Sequence, residues 1–513
     1  MNETYDVDAI VIGSGLGGLT AGALLARYGW TVLVCESHSI PGGAAHSFSR
    51  RGFHFDSGPS FYCGLGTVGA VGQIPSLNPL RQVFRALEVD LETIPYDPLG
   101  HYHFPEGTLP VYGRGDRYQA EVAKFTTRGA AELADFERRL LPLYEGLSTI
   151  PTLAICPEFK GLPLLLGRYG GAMMRLLPLV GLMQGATGAV MDATVHDPFV
   201  RRLIDLECFL LSGLKAKDTV TPEMAFMFGE RTRSVIDYPV GGSGAIAHAL
   251  ATGLEKWGGT LKLNAHVETI NVRDNQAVGV TLRSGDVIHA PVVISNATVW
   301  DTLTHLLRPD DVPAAFRQRA LATPAVESFM HLHLGIRSEG LDGLTGHHVV
   351  VHDAAKDITV PGNTCMISIP SVWDANLAPE GHHVVHAYTL EAFDGWHNDA
   401  GYGDRKRLKA APLFRALEKV IPDVGDRITL ELIGSPLTHA RFLRRYKGTY
   451  GPAIAAGNGM FPGCRTPING LYRVGDSTLP GIGVPAVAAS GILCANTLVE
   501  PKQIKQLLNH LKL

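Results

Sequence analysis

DAIVIGSGLGGLTAGALLARYGWTVLVCE, residues 8–36, is the stretch that decides the fold. Residues 8–12 form a short apolar run ending in glycine, apolar residues then recur at helical spacing over 16–28, and a second apolar run follows at 31–35. Strand, tight turn, helix and strand in that order open a doubly wound α/β domain. Gly13, Gly15 and Gly18 stand as GxGxxG between strand and helix, where the missing side chains let the backbone turn sharply and approach a pyrophosphate at the helix N-terminus. Glu36 ends the second strand, about twenty residues on, where a carboxylate accepts hydrogen bonds from an adenosine ribose and repels a 2′-phosphate. Three glycines alone are a weak signal. With strand, helix and acid in place they predict an adenine dinucleotide site and disfavour NADP.

The rest of the chain sets the frame. At 513 residues it exceeds the size at which one hydrophobic core stops growing, so at least two lobes are expected. Apolar residues make up 45% and charged residues 18%, an ordinary globular balance. The net charge of -4 is spread over both signs without a basic block, which argues against a nucleic-acid partner. The seven cysteines are scattered and never spaced CxxC, so neither a disulfide framework nor a zinc site is indicated and a reducing compartment fits. Only a few polar residues precede the first strand, and the expectation is a cytoplasmic protein without a signal or transit peptide.

Further strands are expected around 261–267, 277–282 and 292–295, returning to the nucleotide domain, and at 328–336 and 382–390 in a second lobe. The segment 161–191 is rich in Leu, Met and Gly, but Arg168, Arg175, Pro163 and Pro178 interrupt it, so it should not span a bilayer. Two readings stand for it: a buried helix pair, or a lid or monotopic patch dipping into lipid. The C-terminal helix pattern at 502–513 is expected to dock on the protein's own surface. Histidines 331, 333, 347, 348, 382, 383 and 386 lack carboxylates at ligand spacing and are read as strand histidines, with no metal expected.

Beyond Glu36 the chain runs SHSIPGGAAHSFSRRGFHFDSGPS, and near its end NGLYRVGDSTLPGIGVPAVAASGILCANTL. Together with Tyr238-Pro239-x-Gly241-Gly242-x-Gly244, these resemble the FAD-dependent phytoene desaturase and carotenoid cis-trans isomerase superfamily, which includes retinol saturases. The resemblance implies a Rossmann-type FAD-binding domain built from 1–67, 232–297 and 436–513, interleaved with an α+β substrate domain from 68–231 and 298–435. It implies that Gly42 and Gly43 bring backbone close to the flavin, that Asp56 and Gly58 return beneath it, and that Arg51 faces it as a cation. It also places Val267 against the adenine, Gly475 and Asp476 at the ribityl and pyrophosphate, and Gly483 and Val484 at a helix opening toward the ring.

The implied substrate is a carotenoid or another long apolar polyene or isoprenoid, met at a membrane surface, with quinone or oxygen as possible electron acceptors. A flavin can accept or donate hydride, so the protein's task is orientation and exclusion of water. Desaturation, redox-neutral isomerisation and saturation of a retinoid-like polyene all remain open, and no side chain separates them. A Gly-x-Ser-x-Gly elbow and a helical HExxH are both absent, against hydrolysis. Two rivals remain. A flavin amine oxidase is disfavoured by Ala44, where such enzymes usually carry arginine. A flavin-free prenyl-lipid carrier is disfavoured by the intact glycines and acids.

Overall fold

The computed structural model describes residues 5–66 and 78–513; the expected first domain boundary, between 67 and 68, lies outside them. Ala9–Ile12 and Val32–Cys35 pair in parallel, with the helix Leu16–Arg27 between them. Thr260–Lys262 adds to one side, and Val292–Ser295 and then Leu471–Arg473 to the other, all parallel. The resulting five-stranded sheet thus collects strands from three distant stretches of chain. Its central strand is fully apolar because helices and a second sheet cover both faces.

The strand expected at 261–267 is two strands. Thr260–Lys262 stays in the parallel sheet, Asn264 turns in the left-handed region at φ 54°, and Val267–Arg273 begins an antiparallel meander with Gln276–Leu282 and Val287–His289. Asp274 and Asn275 form its first turn, both at positive φ, as a two-residue hairpin with right-handed twist requires.

A seven-stranded sheet forms the second layer, ordered Ile428–Gly434, Ser328–Arg337, His382–Glu391, Thr364–Ser368, His347–Val351, Gly100–Phe104, Gly107–Val111. Helices Thr127–Leu147, Pro198–Ser212 and Thr221–Arg233 cluster with one end of it. The α/β class follows the expectation, and strands of the two sheets alternate along the chain. The C-terminal helix Pro501–Leu511 docks through Ile504, Leu507, Leu508 and Leu511.

The segment 161–191 departs from the buried-pair reading. Helix Leu162–Leu176 contains no buried residue, and Phe159, Leu166, Met174 and Leu177 are 94%, 55%, 66% and 58% exposed. Leu164, Leu165 and Tyr169 on its other face pack on the core. Pro178 opens a short 3-10 turn where the helix breaks.

Beneath the helical cluster lies a buried ion group. Arg231 Nη1 donates to Glu207 Oε1 at 2.7 Å, and Nη2 stands 3.9 Å from Glu137 Oε1. The guanidinium also lies over the rings of Tyr118 and Phe228. Burial pushes the Glu137 carboxyl up. Removing the cation strands two carboxylates in a dry site, so Arg231→Met is expected to lose about 3–5 kcal/mol of stability. Equilibrium unfolding in denaturant checks this, and a loss under about 1 kcal/mol would mean that the carboxylates find water.

Candidate functional site

One cavity of about 970 Å³ runs from the C-terminal edge of the parallel sheet to the helical cluster of the second lobe. Its first end is built from the glycine turn. Gly13 sits at φ 92° and donates its N–H to Cys35 O, which turns the chain out of the first strand. A Cβ on Gly18 would lie 2.3 Å from Gly13 O, and one on Gly15 would lie 2.5 Å from Asn296 Nδ2. Only glycine lets the helix start this close to the strand. Gly13 and Gly15 line the cavity; Gly18 packs behind them.

Glu36 is buried at the same edge and lines the cavity. Part of its capacity is already used. Oε2 accepts from Ser14 N at 2.8 Å and Ser14 Oγ at 2.7 Å, and Oε1 from His38 N at 2.7 Å. The carboxylate therefore also ties the glycine turn to the second strand. Val267 lines this end beside His266 and Arg283.

The Pro41-Gly42-Gly43 turn lies directly on the glycine turn: Gly42 N–H donates to Ser14 O, and a Cβ on Gly43 would lie 3.1 Å from Gly15 Cα. Gly42 and Gly43 stand at φ 119° and 58°. Gly58 passes beneath them, its place for a Cβ 2.5 Å from Ala44 O. All three line the cavity.

Two residues of this region do not reach the cavity. Arg51 is exposed at the tip of the hairpin Ser47–Arg50/Phe53–Asp56, at φ 51° in its turn. The Arg-Gly pair there reverses the chain, and Arg51 does not line the cavity. Asp56 is buried behind the wall and accepts four hydrogen bonds, from Tyr238 Oη, Ser243 N, Ser243 Oγ and Ser47 Oγ. It fastens the hairpin to the N-terminus of helix Ser243–Lys256, which is also what the glycine-rich middle motif serves.

At the closing motif, Gly475 stands at φ 92° and its N–H donates to Ser490 Oγ. A Cβ on Gly17 would lie 2.9 Å from Gly475 Cα, so the two turns interlock. Asp476 lines the cavity and is paired with Arg445 through Oδ2. Gly483, at φ 106°, opens helix Val484–Leu498, and a Cβ on it would meet nothing within 4 Å. Two helix N-termini thus face one cavity, a field that favours negative charge there.

Sequence reasoning missed Asn296, Arg445, His46 and His439, which line the same cavity. Asn296 had a signal: it follows the strand Val292–Ser295, at the strand edge where open α/β sheets bind ligands. Arg445 and His439 come from helix Pro436–Leu443 and the turn after it, where no motif marks them.

The cavity's second end is lined by Phe61, Leu99, Leu210, Leu211, Phe226 and Met227, with Tyr388 and Tyr450 between the two ends. Three strand histidines, His331, His333 and His386, stack on one another. His331 Nδ1 and His386 Nε2 are 2.9 Å apart, and the His333 and His386 rings are 4.3 Å apart. Burial pulls His333 down to about 4 and His439 to about 3. No three His, Cys, Asp or Glu side chains converge on a metal position among the described residues. Cys63 lines the cavity, its thiol pushed up by burial.

A family profile described as flavin containing amine oxidoreductase matches residues 16–499. The chain belongs to this family. Its relatives include prolycopene isomerase 2 of an Oncidium hybrid cultivar, 36% identical over 97% of this chain and 84% of the relative. They also include a neurosporene-forming phytoene desaturase of Cereibacter sphaeroides, 28% identical over 96% and 95%. A third is the all-trans-retinol 13,14-reductase of Danio rerio, 25% identical over 96% and 86%. Among solved structures, putrescine oxidase superposes with a TM-score of 0.61 at 13% identity, covering 99% of this chain and all 100% of that one. The flavin-containing amine oxidoreductase fold is therefore that of this chain, and its cofactor is FAD. The superfamily expected from the sequence motifs is the one found.

Proposed function

We propose that the protein is an FAD-dependent cis-trans isomerase of a long apolar polyene, a carotenoid or comparable isoprenoid. The observation that carries the reading is the cavity itself, a dinucleotide cradle continuous with an arm walled mostly by aromatic and aliphatic side chains, with Glu207, Glu230 and Arg231 also in its lining. Isomerisation is preferred to desaturation because the isomerase relatives stand at 36% identity against 28% for the desaturase. In this reading segments 1–67, 232–297 and 436–513 hold the cofactor, and 68–231 and 298–435 shape the substrate arm.

Gly13 and Gly15 with the N-terminus of helix Leu16–Arg27 would hold the pyrophosphate, while Glu36 and Val267 flank the adenosine. Gly42, Gly43 and Gly58 would lie against the flavin, with Gly475 and Asp476 at the ribityl chain and Gly483 and Val484 at the ring. A Cβ on Gly483 would meet nothing within 4 Å, and Gly13, Gly15, Gly42 and Gly43 line the cavity with bare backbone, which fits a flat, elongated anion. Bound FAD supplies hydride or proton exchange with a polyene carbon. The chain's residues orient that carbon and exclude water.

The substrate would come from lipid. Phe159, Leu166, Met174 and Leu177 form an exposed apolar strip with Arg168 and Arg175 beside it, the composition of a surface that enters the headgroup boundary. Helix Val180–Gln184 continues from that strip and packs on helix Thr221–Arg233, which supplies Phe226 and Met227 to the cavity wall. No described helix is long and apolar enough to cross a membrane. Replacing Phe159, Leu166, Met174 and Leu177 by aspartate is expected to reduce liposome co-sedimentation roughly tenfold or more, with flavin content unchanged. Undiminished co-sedimentation would remove the strip from the account.

The reaction is tested by incubating the protein, FAD-loaded and reduced without oxygen, with cis-polyenes in liposomes. Conversion to a trans isomer that depends on flavin supports the reading. Equal conversion by flavin-stripped protein would end it.

A further inference from the structure

The apolar arm carries charge at its far wall. Glu207, on helix Pro198–Ser212, lines the cavity while being only 2% exposed. Its Oε1 accepts from Arg231 Nη1 at 2.7 Å and from Tyr118 Oη at 3.1 Å. Its Oε2 has no partner. A buried carboxylate oxygen without a donor costs stability, and such a group in a native site calls for a functional reason. Arg231 is shared with Glu137, and Glu230, also lining the cavity, accepts from Tyr144 Oη. Two carboxylates, Glu207 and Glu137, therefore flank one guanidinium, and this buried group has a formal charge of -1 beside a cavity of low polarity.

An apolar polyene offers such an oxygen no hydrogen bond, so its use must be electrostatic. When a proton is added at one polyene carbon, a C–H bond forms, a π bond is lost and a cation spreads along the conjugated chain. The former double bond rotates as a single bond. The same proton then leaves, the π bond reforms and nothing is consumed; reduced flavin, when bound, would supply the proton and take it back. A fixed negative charge in a dry cavity lowers the energy of that cation far more than it would in water.

We propose that the charge of the Glu207 carboxylate, acting through the cavity wall, stabilises the positive charge developing on the polyene, with Arg231 and Tyr118 as positioning residues that hold it. This rests on the isomerase reading above, and it adds the sign of the charge: cationic, not anionic.

The test uses the holoprotein in liposomes with a cis-polyene and compares wild type, Glu207→Gln and Glu207→Asp. Glu207→Gln keeps shape and removes charge. Its kcat is expected to fall about a hundredfold or more, with flavin content and polyene Kd within about twofold of wild type. Glu207→Asp keeps the charge and is expected to stay within about tenfold of wild-type kcat. A readout without turnover is the visible band of the bound polyene, which a nearby charge shifts; the band of Glu207→Gln is expected to differ from that of wild type and Glu207→Asp. A Glu207→Gln kcat within threefold of wild type, or unchanged bands, overturns the proposal. Should Glu207→Gln lose its flavin, Glu207→Asp and its band decide, and an inactive but flavin-loaded Glu207→Asp overturns it. A wild type that isomerises no polyene overturns the isomerase reading instead, and this proposal with it.

Discussion

Gly15→Val is expected to fold yet purify colourless, with bound flavin reduced at least about tenfold relative to wild type. A Cβ at this position would already lie 2.5 Å from Asn296 Nδ2, and the two further methyl groups of valine point where the cavity needs bare backbone. Asn296 and Gly475 meet at the same point, since a Cβ on Gly475 would lie 2.7 Å from Asn296 Oδ1. Displacing Asn296 therefore disturbs the first glycine turn and the closing motif together. The strand and helix flanking Gly15 are buried by contacts that do not involve it, with Leu19, Leu24 and Leu25 fully covered, so the lobe survives. The ratio of flavin absorbance to protein absorbance, read beside a thermal melt, checks this. Equal flavin content in variant and wild type would place the cofactor elsewhere.

The second large effect is acid instability. His333 is held at about 4, and His347, His348 and His439 at about 3, in each case because burial disfavours the charged ring. Folded values below the unfolded value of about 6.5 mean that the unfolded chain takes up protons first as pH falls. Stability is then lost below about pH 6.5 and continues to fall toward the folded values. At pH 5 each of these four rings costs about 2 kcal/mol relative to pH 7.5, about 8 kcal/mol together. Asp237, raised to about 6, and Glu223, raised to about 8, both by burial, act in the opposite sense. They return roughly 4 kcal/mol over the same interval. His331 and His386, also held down by burial, add to the loss, while Asp56, Glu137 and Asp205, pushed up by burial, oppose it. The net expectation is a stability lower by about 4 kcal/mol at pH 5 than at pH 7.5, comparable to a third of a typical domain's total. Denaturant unfolding at the two pH values measures it. Equal midpoints would show that the histidine cluster is hydrated.

The nucleotide lobe was legible because its signals are backbone requirements. Gly13, Gly18 and Gly475 occupy turns that a Cβ would obstruct or a positive φ that side chains avoid, and glycine in a sequence states that requirement directly. The second lobe was not legible in this way. Residues 161–191 have the composition of a core helix, and only the partners of Leu166 and Met174, which are solvent, reveal an exposed strip. Arg51 was misplaced because resemblance carries a residue's neighbourhood and not its direction; a hairpin tip turns it outward. Asp56, expected beneath the flavin, is held behind the cavity wall, where Tyr238 and Ser243 take its oxygens. Glu207 and Arg231 carry no motif, and a sequence does not say that Tyr118 and Phe228 cover the guanidinium.

The most direct test of the account is chromatography with mass detection on one cis-polyene incubated with the reduced, FAD-loaded protein in liposomes. The account predicts a product of new retention time at unchanged mass. A product lighter or heavier by two hydrogens would contradict isomerisation and make the protein a desaturase or a saturase, and no product from any polyene would contradict the substrate class.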